Sequence, residues 1–264
     1  MKGNRVFVNG SDMYYVSFGK GDKNLVIILG LSDGFKSIKG QDSLVKRYYR
    51  EYGKEFRVFV FGRKEEFVEG YSIKDMAADQ KLAMDLLGLD KAYVMGISQG
   101  GMIAQQLVID YPEVVDKLVL GVSISRPTAT LKKVVGGWID LAIEGDYRAL
   151  MMDSVGKTYT ADRFRRYSVL IPLISFFTRP KCFDRFIIQA RACLGHDVYD
   201  QLGLIKCSTL VIGGDSDEVT GVGASEEMAD RISDSVLHMY KGLGHGAFEE
   251  AKDFNYQVIK FLNS

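Results

Sequence analysis

The sequence lacks the features that mark membrane-spanning and secreted proteins. No run of the 264-residue chain approaches the ~18 consecutive apolar residues that a spanning helix needs. The first ten residues include Lys2, Asn4 and Arg5 and no apolar core, so no secretory signal is predicted and a cytoplasmic location is expected. The 34 basic residues balance 34 acidic ones, which predicts neither a nucleic-acid nor a membrane partner. A small-molecule substrate is expected instead.

Cysteine and histidine are also scarce, with three residues of each. Cys182, Cys193 and Cys207 cannot all pair and form no CxxC motif, so we expect buried, reduced thiols and no metal site. The scarcity of histidine leaves three candidates for a general base. The sequence carries no signal for an oligomeric state.

Apolar runs alternate with helical patterns along most of the chain. A hairpin is predicted from Arg5–Val8 and Met13–Phe18, and further strands at Leu25–Leu29, Arg57–Phe61, Ala92–Gly96, Lys117–Val122, Thr209–Gly213 and Val236–Tyr240. Helices are predicted at Ser72–Leu87, Gln99–Tyr111, Ser225–Ile232 and Ala247–Leu262. This pattern predicts an α/β fold, with a mostly parallel central β-sheet flanked by helices.

One segment breaks the alternation. Residues 125–190 contain no convincing strand, hold three of the four prolines and are rich in aromatic residues. This pattern predicts a helical cap inserted into a core made of residues 1–124 and 191–264. Ordinary core helices are the alternative, because aromatic residues at helical spacing often only pack.

The strongest chemical signal is the segment Gly96-Ile97-Ser98-Gln99-Gly100, between a predicted strand and a predicted helix. A G-x-S-x-G motif in that setting is typical of a nucleophile elbow, in which a strained turn lifts the serine above the sheet edge. The flanking glycines avoid Cβ collisions, and the Gln99 amide would face a developing oxyanion. The alternative is a glycine-rich turn whose serine is idle.

A serine nucleophile needs a base. His196 is predicted near a helix and His238 on a strand, where structural roles are favoured for both. His245 lies in the glycine-rich loop 242–246 between the last strand and the last helix, which returns to the carboxyl edge of the sheet. His245 is therefore the predicted base.

The base needs a carboxylate to hold its tautomer. The loop after the penultimate strand offers Asp215, Asp217 and Glu218. Asp217 is preferred because it stands where the loop would turn back toward His245. Asp215 lies nearer the strand end and could bind the turn backbone instead, and Glu218 is the third candidate.

Ser98, Asp217 and His245, in this order, resemble the α/β-hydrolase family, and the resemblance extends along essentially the whole chain. The segment Gly100–Ala104 is similar to the serine esterase, enol-lactonase and perhydrolase branch of that family. The segment 125–190 falls where the family inserts its helical cap. The resemblance implies a catalytic triad and no metal or organic cofactor.

The segment Leu25–Leu31 resembles the third strand and oxyanion loop of that family, which places Leu31 as the second oxyanion amide beside Gln99. Two departures stand out. Leu29-Gly30 replaces the usual His-Gly pair, and the segment 62–66 (GRKEE) replaces the usual arginine–glycine-rich turn after the fourth strand.

The predicted function is hydrolysis of a small, largely apolar carboxylic ester through an acyl-enzyme on Ser98. A serine rather than an aspartate at the elbow disfavours the dehalogenase and epoxide-hydrolase branches that the fold resembles. Lactonase, thioesterase, perhydrolase and C–C bond hydrolase activities use the same triad and stay open. The other class is a ligand-binding sensor with little turnover.

Overall fold

The computed structural model describes residues 4–264, which contain one eight-stranded sheet. The strands are β1 (Asn4–Val8), β2 (Ser11–Phe18), β3 (Asn24–Ile28), β4 (Arg57–Lys64), β5 (Ala92–Ile97), β6 (Val115–Gly121), β7 (Ser208–Gly214) and β8 (Ser235–Tyr240). Their order across the sheet is β1-β2-β4-β3-β5-β6-β7-β8. Only the pairs β1–β2 and β2–β4 are antiparallel, so the predicted α/β fold is confirmed.

Helices cover both faces of the sheet. The α-helices of the described residues are α1 (Asp42–Tyr48), α2 (Ile73–Leu86), α3 (Gln99–Asp110), α4 (Ala129–Ile143), α5 (Tyr147–Thr158), α6 (Ala161–Ser168), α7 (Ile171–Thr178), α8 (Asp184–Leu194), α9 (Ala224–Arg231), α10 (Ala247–Glu250) and α11 (Phe254–Leu262). Two apolar cores result, one on each face. Val26 belongs to one core and Leu25 to the other, and both are fully buried, which is why this strand reads as a continuous apolar run.

Local sequence signals account for several element boundaries. Asn9 and Gly10 both have positive φ (43° and 84°), as a two-residue hairpin turn between β1 and β2 requires. Ser72 and Asp75 form a reciprocal capping box at the start of α2. Helix α3 ends before Pro112, which could not continue it.

Helices α4 to α8 lie between β6 and β7 in the chain, and we refer to them as the inserted helices. Helix α5 packs between α4 and α7, while α8 packs on α4 and on the turn at Leu31–Gly34. Helix α8 continues to Leu194, so it crosses the boundary expected at residue 190. In the region from residue 4 onward, no helix is long and apolar enough to cross a bilayer.

Three sequence-based expectations are wrong in detail. The predicted helix Ala247–Leu262 is broken, because the backbone at Ala251 is extended (φ −74°, ψ 119°). The break lets α10 follow the loop of His245 while α11 packs Phe254 and Leu262 into the core. Strand β4 continues through Lys64, so the segment after Phe61 begins as strand rather than turn. Cys182 is exposed, although Cys193 is buried as expected.

Candidate active site

Ser98 occupies a strained turn between β5 and α3. Its backbone angles (φ 54°, ψ −120°) lie in a region that residues other than glycine rarely adopt. A Cβ at Gly96 would lie 2.2 Å from the carbonyl oxygen of Gly100, and one at Gly100 would lie 2.0 Å from that of Ile28. Both positions therefore require glycine, and the turn presents the Ser98 hydroxyl at the carboxyl edge of the sheet.

A continuous hydrogen-bonded chain joins the three residues that the sequence singled out. His245 Nε2 lies 2.9 Å from Ser98 Oγ, and His245 Nδ1 lies 2.8 Å from Asp217 Oδ2. His245 and Asp217 are buried. When His245 carries its proton on Nδ1, this N–H donates a hydrogen bond to the Asp217 carboxylate. Nε2 is then unprotonated and can accept a hydrogen bond from the serine hydroxyl.

The Asp217 carboxylate is fixed on its other oxygen as well. Its Oδ1 accepts hydrogen bonds from the amides of Val219 and Thr220, at 2.8 and 2.9 Å. Burial opposes ionisation, yet His245 and these two amides lower the pKa of Asp217 below its usual value. Asp217 is therefore an ionised partner for the imidazole at neutral pH.

Asp215 has a separate structural role. Its Oδ1 accepts a hydrogen bond from the Gly242 amide at 2.7 Å, which ties the loop after β7 to the loop that carries His245. Of the two aspartates, the structure brings only Asp217 to the imidazole.

Neither of the other two histidines bonds to Ser98 or lines its cavity. His238 is on β8, where its ring packs on Tyr240 with centroids 4.7 Å apart. His196 follows α8 and is buried, and burial lowers its pKa to about 4. A histidine with that pKa is neutral at pH 7 and acts as a packed core residue.

Leu31, the predicted second oxyanion residue, lines the same cavity as Ser98. A Cβ on the neighbouring Gly30 would lie 3.4 Å from Ser98 Cβ, so the loop after β3 passes close to the serine. Within the described residues, neither the Leu31 nor the Gln99 amide donates a hydrogen bond to another backbone group. Both amides are thus available donors. The loop still lies beside Ser98 although Leu29-Gly30 replaces the His-Gly pair usual in the family.

A buried ionic network that the sequence did not predict ties this loop to β4 and α8. The Asp33 side chain is fully buried and accepts a hydrogen bond from Arg185 Nη2 of α8 at 2.5 Å. Arg63, also buried, donates from its guanidinium to the carbonyl oxygen of Leu29 and to Gln99 Oε1. Burial lowers the pKa of Arg63, which the nearby Asp33 carboxylate opposes. The Arg185 guanidinium is therefore paired with Asp33, whereas the Arg63 guanidinium is held by Leu29 and Gln99.

The Gln99 side chain completes the link to the inserted helices. Its Nε2 donates to the carbonyl oxygen of Gln189 at 2.8 Å and contacts Cys193 Sγ, both on α8. The Gln99 side chain is therefore outside the cavity lining. Its bonds to α8 hold Gln99, whose backbone amide directly follows Ser98, in place. The only sequence signal near this network was the departure at 62–66, which contains Arg63, since Asp33 and Arg185 have no distinctive spacing.

Ser98 and His245 open onto a cavity of about 490 Å³. Most of its lining is apolar and comes mainly from the loop after β3, from α1 and from the inserted helices; it includes Leu31, Phe35, Leu44, Val45, Met102, Leu131, Val135, Trp138, Leu150, Val155, Phe186, Val219 and Phe248. Among residues 4–264, no lysine or arginine lines it, and Glu249 is its one acidic residue.

The Glu249 carboxylate is already occupied within the protein. Tyr159 Oη donates to Glu249 Oε2 at 2.7 Å, and Arg163 Nη2 lies 3.3 Å from the same oxygen. Burial and this carboxylate raise the pKa of Tyr159, which keeps its hydroxyl protonated as the donor. The sequence did not point to this pair, which is 90 residues apart in the chain.

Comparisons with known proteins agree on the fold. A family model described as alpha/beta hydrolase fold matches residues 36–252. A 2-hydroxy-6-oxononadienedioate/2-hydroxy-6-oxononatrienedioate hydrolase of Pseudomonas sp is 27% identical over 97% of this chain and 93% of its own length. Epoxide hydrolase 1 of Caenorhabditis elegans is 32% identical over 95% of this chain and 68% of its own length. An enol-lactonase structure from Burkholderia xenovorans LB400 superposes with a TM-score of 0.82 at 21% identity, covering 99% of this chain and all of that one.

Proposed function

Because the chain belongs to the α/β-hydrolase fold family, we propose that it is a serine hydrolase that cleaves small, uncharged, largely apolar carboxylic esters. Ser98 is the nucleophile, His245 the base and Asp217 the carboxylate that orients it. The observation that carries the proposal is the Ser98–His245–Asp217 chain of hydrogen bonds opening onto an apolar cavity. The inserted helices act as a cap over the α/β core.

The proposed reaction has two acyl-transfer steps. His245 Nε2 takes the Ser98 proton as Oγ bonds to the ester carbonyl carbon, and the Leu31 and Gln99 amides stabilise the oxyanion. The intermediate collapses as His245 returns the proton to the leaving alcohol, which leaves an ester on Ser98. Water then attacks that ester, with His245 accepting the water proton and passing it to Ser98. Asp217 stays ionised and stabilises the imidazolium in both steps.

The cavity lining argues for an uncharged substrate. The Pseudomonas relative is named for a dioate, which carries two carboxylates. In the described part of this chain, the cavity holds no lysine or arginine that could pair with a carboxylate, and its one acidic residue, Glu249, is already bonded to Tyr159 and Arg163. Burying an unpaired carboxylate is costly, so a neutral ester is favoured. The serine at the elbow likewise points to acyl transfer rather than to the reaction named for the epoxide hydrolase relative.

The first experiment is labelling with a fluorophosphonate probe, with the adduct located by peptide mass and turnover of 4-nitrophenyl butyrate followed in parallel. We expect labelling and turnover in the wild type, and loss of both in Ser98→Ala. Ser154→Ala is the matched control, because Ser154 also lines the cavity but bonds to the Met151 carbonyl. A folded wild type with no adduct and no turnover would instead support a ligand-binding protein.

The second experiment tests the charge of the substrate. We expect kcat/KM for 4-nitrophenyl butyrate to exceed that for the 4-nitrophenyl hemiester of succinate by about 100-fold or more, because the second ester brings a carboxylate into the cavity. A preference for the carboxylate ester would overturn this part of the proposal and leave the serine chemistry intact.

A further inference from the structure

The hairpin formed by α6 and α7 carries an unusual concentration of exposed apolar side chains. Across residues 4–264 there are seventeen exposed large hydrophobic residues, and six of them lie within residues 169–177. These six are Val169, Leu170, Leu173, Ile174, Phe176 and Phe177, and we call them the cap patch. Phe176 and Phe177 are 79% and 75% exposed. Exposing a cluster of large apolar side chains to water is energetically unfavourable, so such a cluster indicates an interaction surface.

The cap patch is not needed to hold α7 in place. Helix α7 buries Ile171 and Ser175, and it packs on α5. Helix α5 in turn lines the cavity with Leu150 and Val155. Helix α7 therefore has one face in contact with the protein and a second apolar face without a partner, separated from the cavity by α5.

The charges within the stretch of chain that carries the patch have one sign. Residues 163–181 contain five basic residues and no acidic one, although the whole chain has no net charge. Arg165, Arg166, Arg179 and Lys181 are exposed, whereas Arg163 turns inward to Glu249. The acidic residues that flank this stretch are Asp162 and Asp184. Asp162 lies 3.6 Å from Arg165, but both are about four-fifths exposed, so the pair is weak.

From this combination we propose that the cap patch docks on the surface of a lipid bilayer containing anionic phospholipids. Exposed leucine and phenylalanine side chains enter the boundary between headgroups and acyl chains, and the basic rim contacts the lipid phosphates. The zero net charge of the whole chain does not reveal this local excess of basic residues. A second copy of the chain fits less well, because a two-fold contact between patches would bring two basic rims together.

Docking in this way places the cap on a surface into which apolar molecules partition. The proposal concerns binding alone, and it can be tested without any assay of hydrolysis. Failure of the proposed esterase activity would therefore leave this inference standing, and the converse also holds.

The test is flotation of the full-length protein with large unilamellar vesicles, either of phosphatidylcholine alone or of phosphatidylcholine and phosphatidylglycerol at 7:3. We expect binding to the anionic vesicles at least about tenfold stronger than to the neutral ones, and weakened by 0.5 M salt. The double variant Phe176→Ser/Phe177→Ser should lose binding by about tenfold or more, as should Arg165→Ser/Arg166→Ser. Circular dichroism and thermal melting confirm that each variant is folded.

The matched control is Val68→Ser/Tyr256→Ser, which removes two similarly exposed apolar side chains outside the patch (69% and 61% exposed). It should bind like the wild type. Absence of wild-type binding to the anionic vesicles overturns the proposal, as does equal loss in the control. A concentration-dependent dimer that the Phe176→Ser/Phe177→Ser change dissociates, without vesicle binding, would identify a second copy as the occupant.

Discussion

The amide nitrogen of Gly246 donates a hydrogen bond to the carbonyl oxygen of Thr158 at 2.6 Å. This bond joins the residue after His245 to the end of helix α5. Thr160 Oγ1 extends the contact by donating to Glu250 Oε1 at 2.7 Å. The position of the imidazole therefore depends on the inserted helices as well as on the sheet.

Substitution Gly246→Ala tests this dependence. The added Cβ would lie 2.6 Å from Tyr159 Cδ1 and 2.8 Å from the Thr158 carbonyl oxygen, so the loop must shift. We expect kcat for 4-nitrophenyl butyrate to fall by about tenfold to a hundredfold, because small displacements of a base are costly. Gly137→Ala in α4 is the control, since its Cβ would meet nothing within 4 Å. Unchanged kcat in Gly246→Ala would show that this contact does not set the imidazole.

Substitution Asp217→Asn removes the charge beside His245 while an amide oxygen can still accept from Val219 and Thr220. We expect kcat to fall by about 1,000-fold or more, because the amide no longer holds the required tautomer or stabilises the imidazolium. Asp215→Asn should retain most of the activity, since Asp215 bonds to the Gly242 amide and not to the imidazole. Steady-state kinetics of the two variants measure the contrast, and similar losses in both would count against Asp217 as the acid.

Substitution Asp33→Asn probes the buried ionic network. It leaves the Arg185 guanidinium without its carboxylate and removes the negative charge near Arg63, and we expect the free energy of unfolding to fall by about 3 kcal/mol. Asp116→Asn breaks the ion pair between Lys91 and Asp116, whose side chains are 57% and 48% exposed. It should lower the free energy of unfolding by less than about 1 kcal/mol. Urea denaturation measures both values. Equal costs would mean that the network is not electrostatically important.

His196 makes the stability depend on pH in a defined direction. Its pKa is about 4 in the folded protein, against about 6.5 for an unperturbed histidine, so the unfolded chain takes up the proton first as pH falls. Its contribution is fully present above about pH 6.5 and is lost toward pH 4, by up to about 3 kcal/mol. Relative to wild type, His196→Gln should destabilise less at pH 5 than at pH 7.5.

Chemical denaturation at both pH values provides the measurement for His196. The same substitution at His238, which is partly exposed on β8, controls for the loss of a histidine as such. A pH-independent difference between wild type and His196→Gln would rule out this titration.

Local signals were sufficient to predict the sheet and the strand–turn–helix setting of Ser98. The glycines at positions 96 and 100 are required by contacts within the turn itself, so the motif predicted the geometry. Helix α1 was not predicted, although Leu44 and Tyr48 on it line the cavity. Its seven residues bury only Val45, so the segment has too little apolar periodicity to stand out.

Contacts between distant segments could not be predicted in the same way. Arg63 is buried because Leu29 and Gln99 provide acceptors for it, and they lie 34 and 36 residues away in the chain. The break at Ala251 is also a tertiary effect, since the residues around it have ordinary helical propensities. Sequence patterns report the local backbone, whereas these features depend on which surfaces meet after folding.

Asp33 connects the loop beside Ser98 to one wall of the cavity. It belongs to the loop that carries Leu31, and its carboxylate is bound by Arg185 of α8, the helix that contributes Phe186 to the cavity wall. A bound group that moved α8 would also move the Leu31 amide. A ligand that binds one position of α8 more tightly would thereby favour one position of this loop, and by linkage a ligand bound at the loop would change binding at α8 by the same factor.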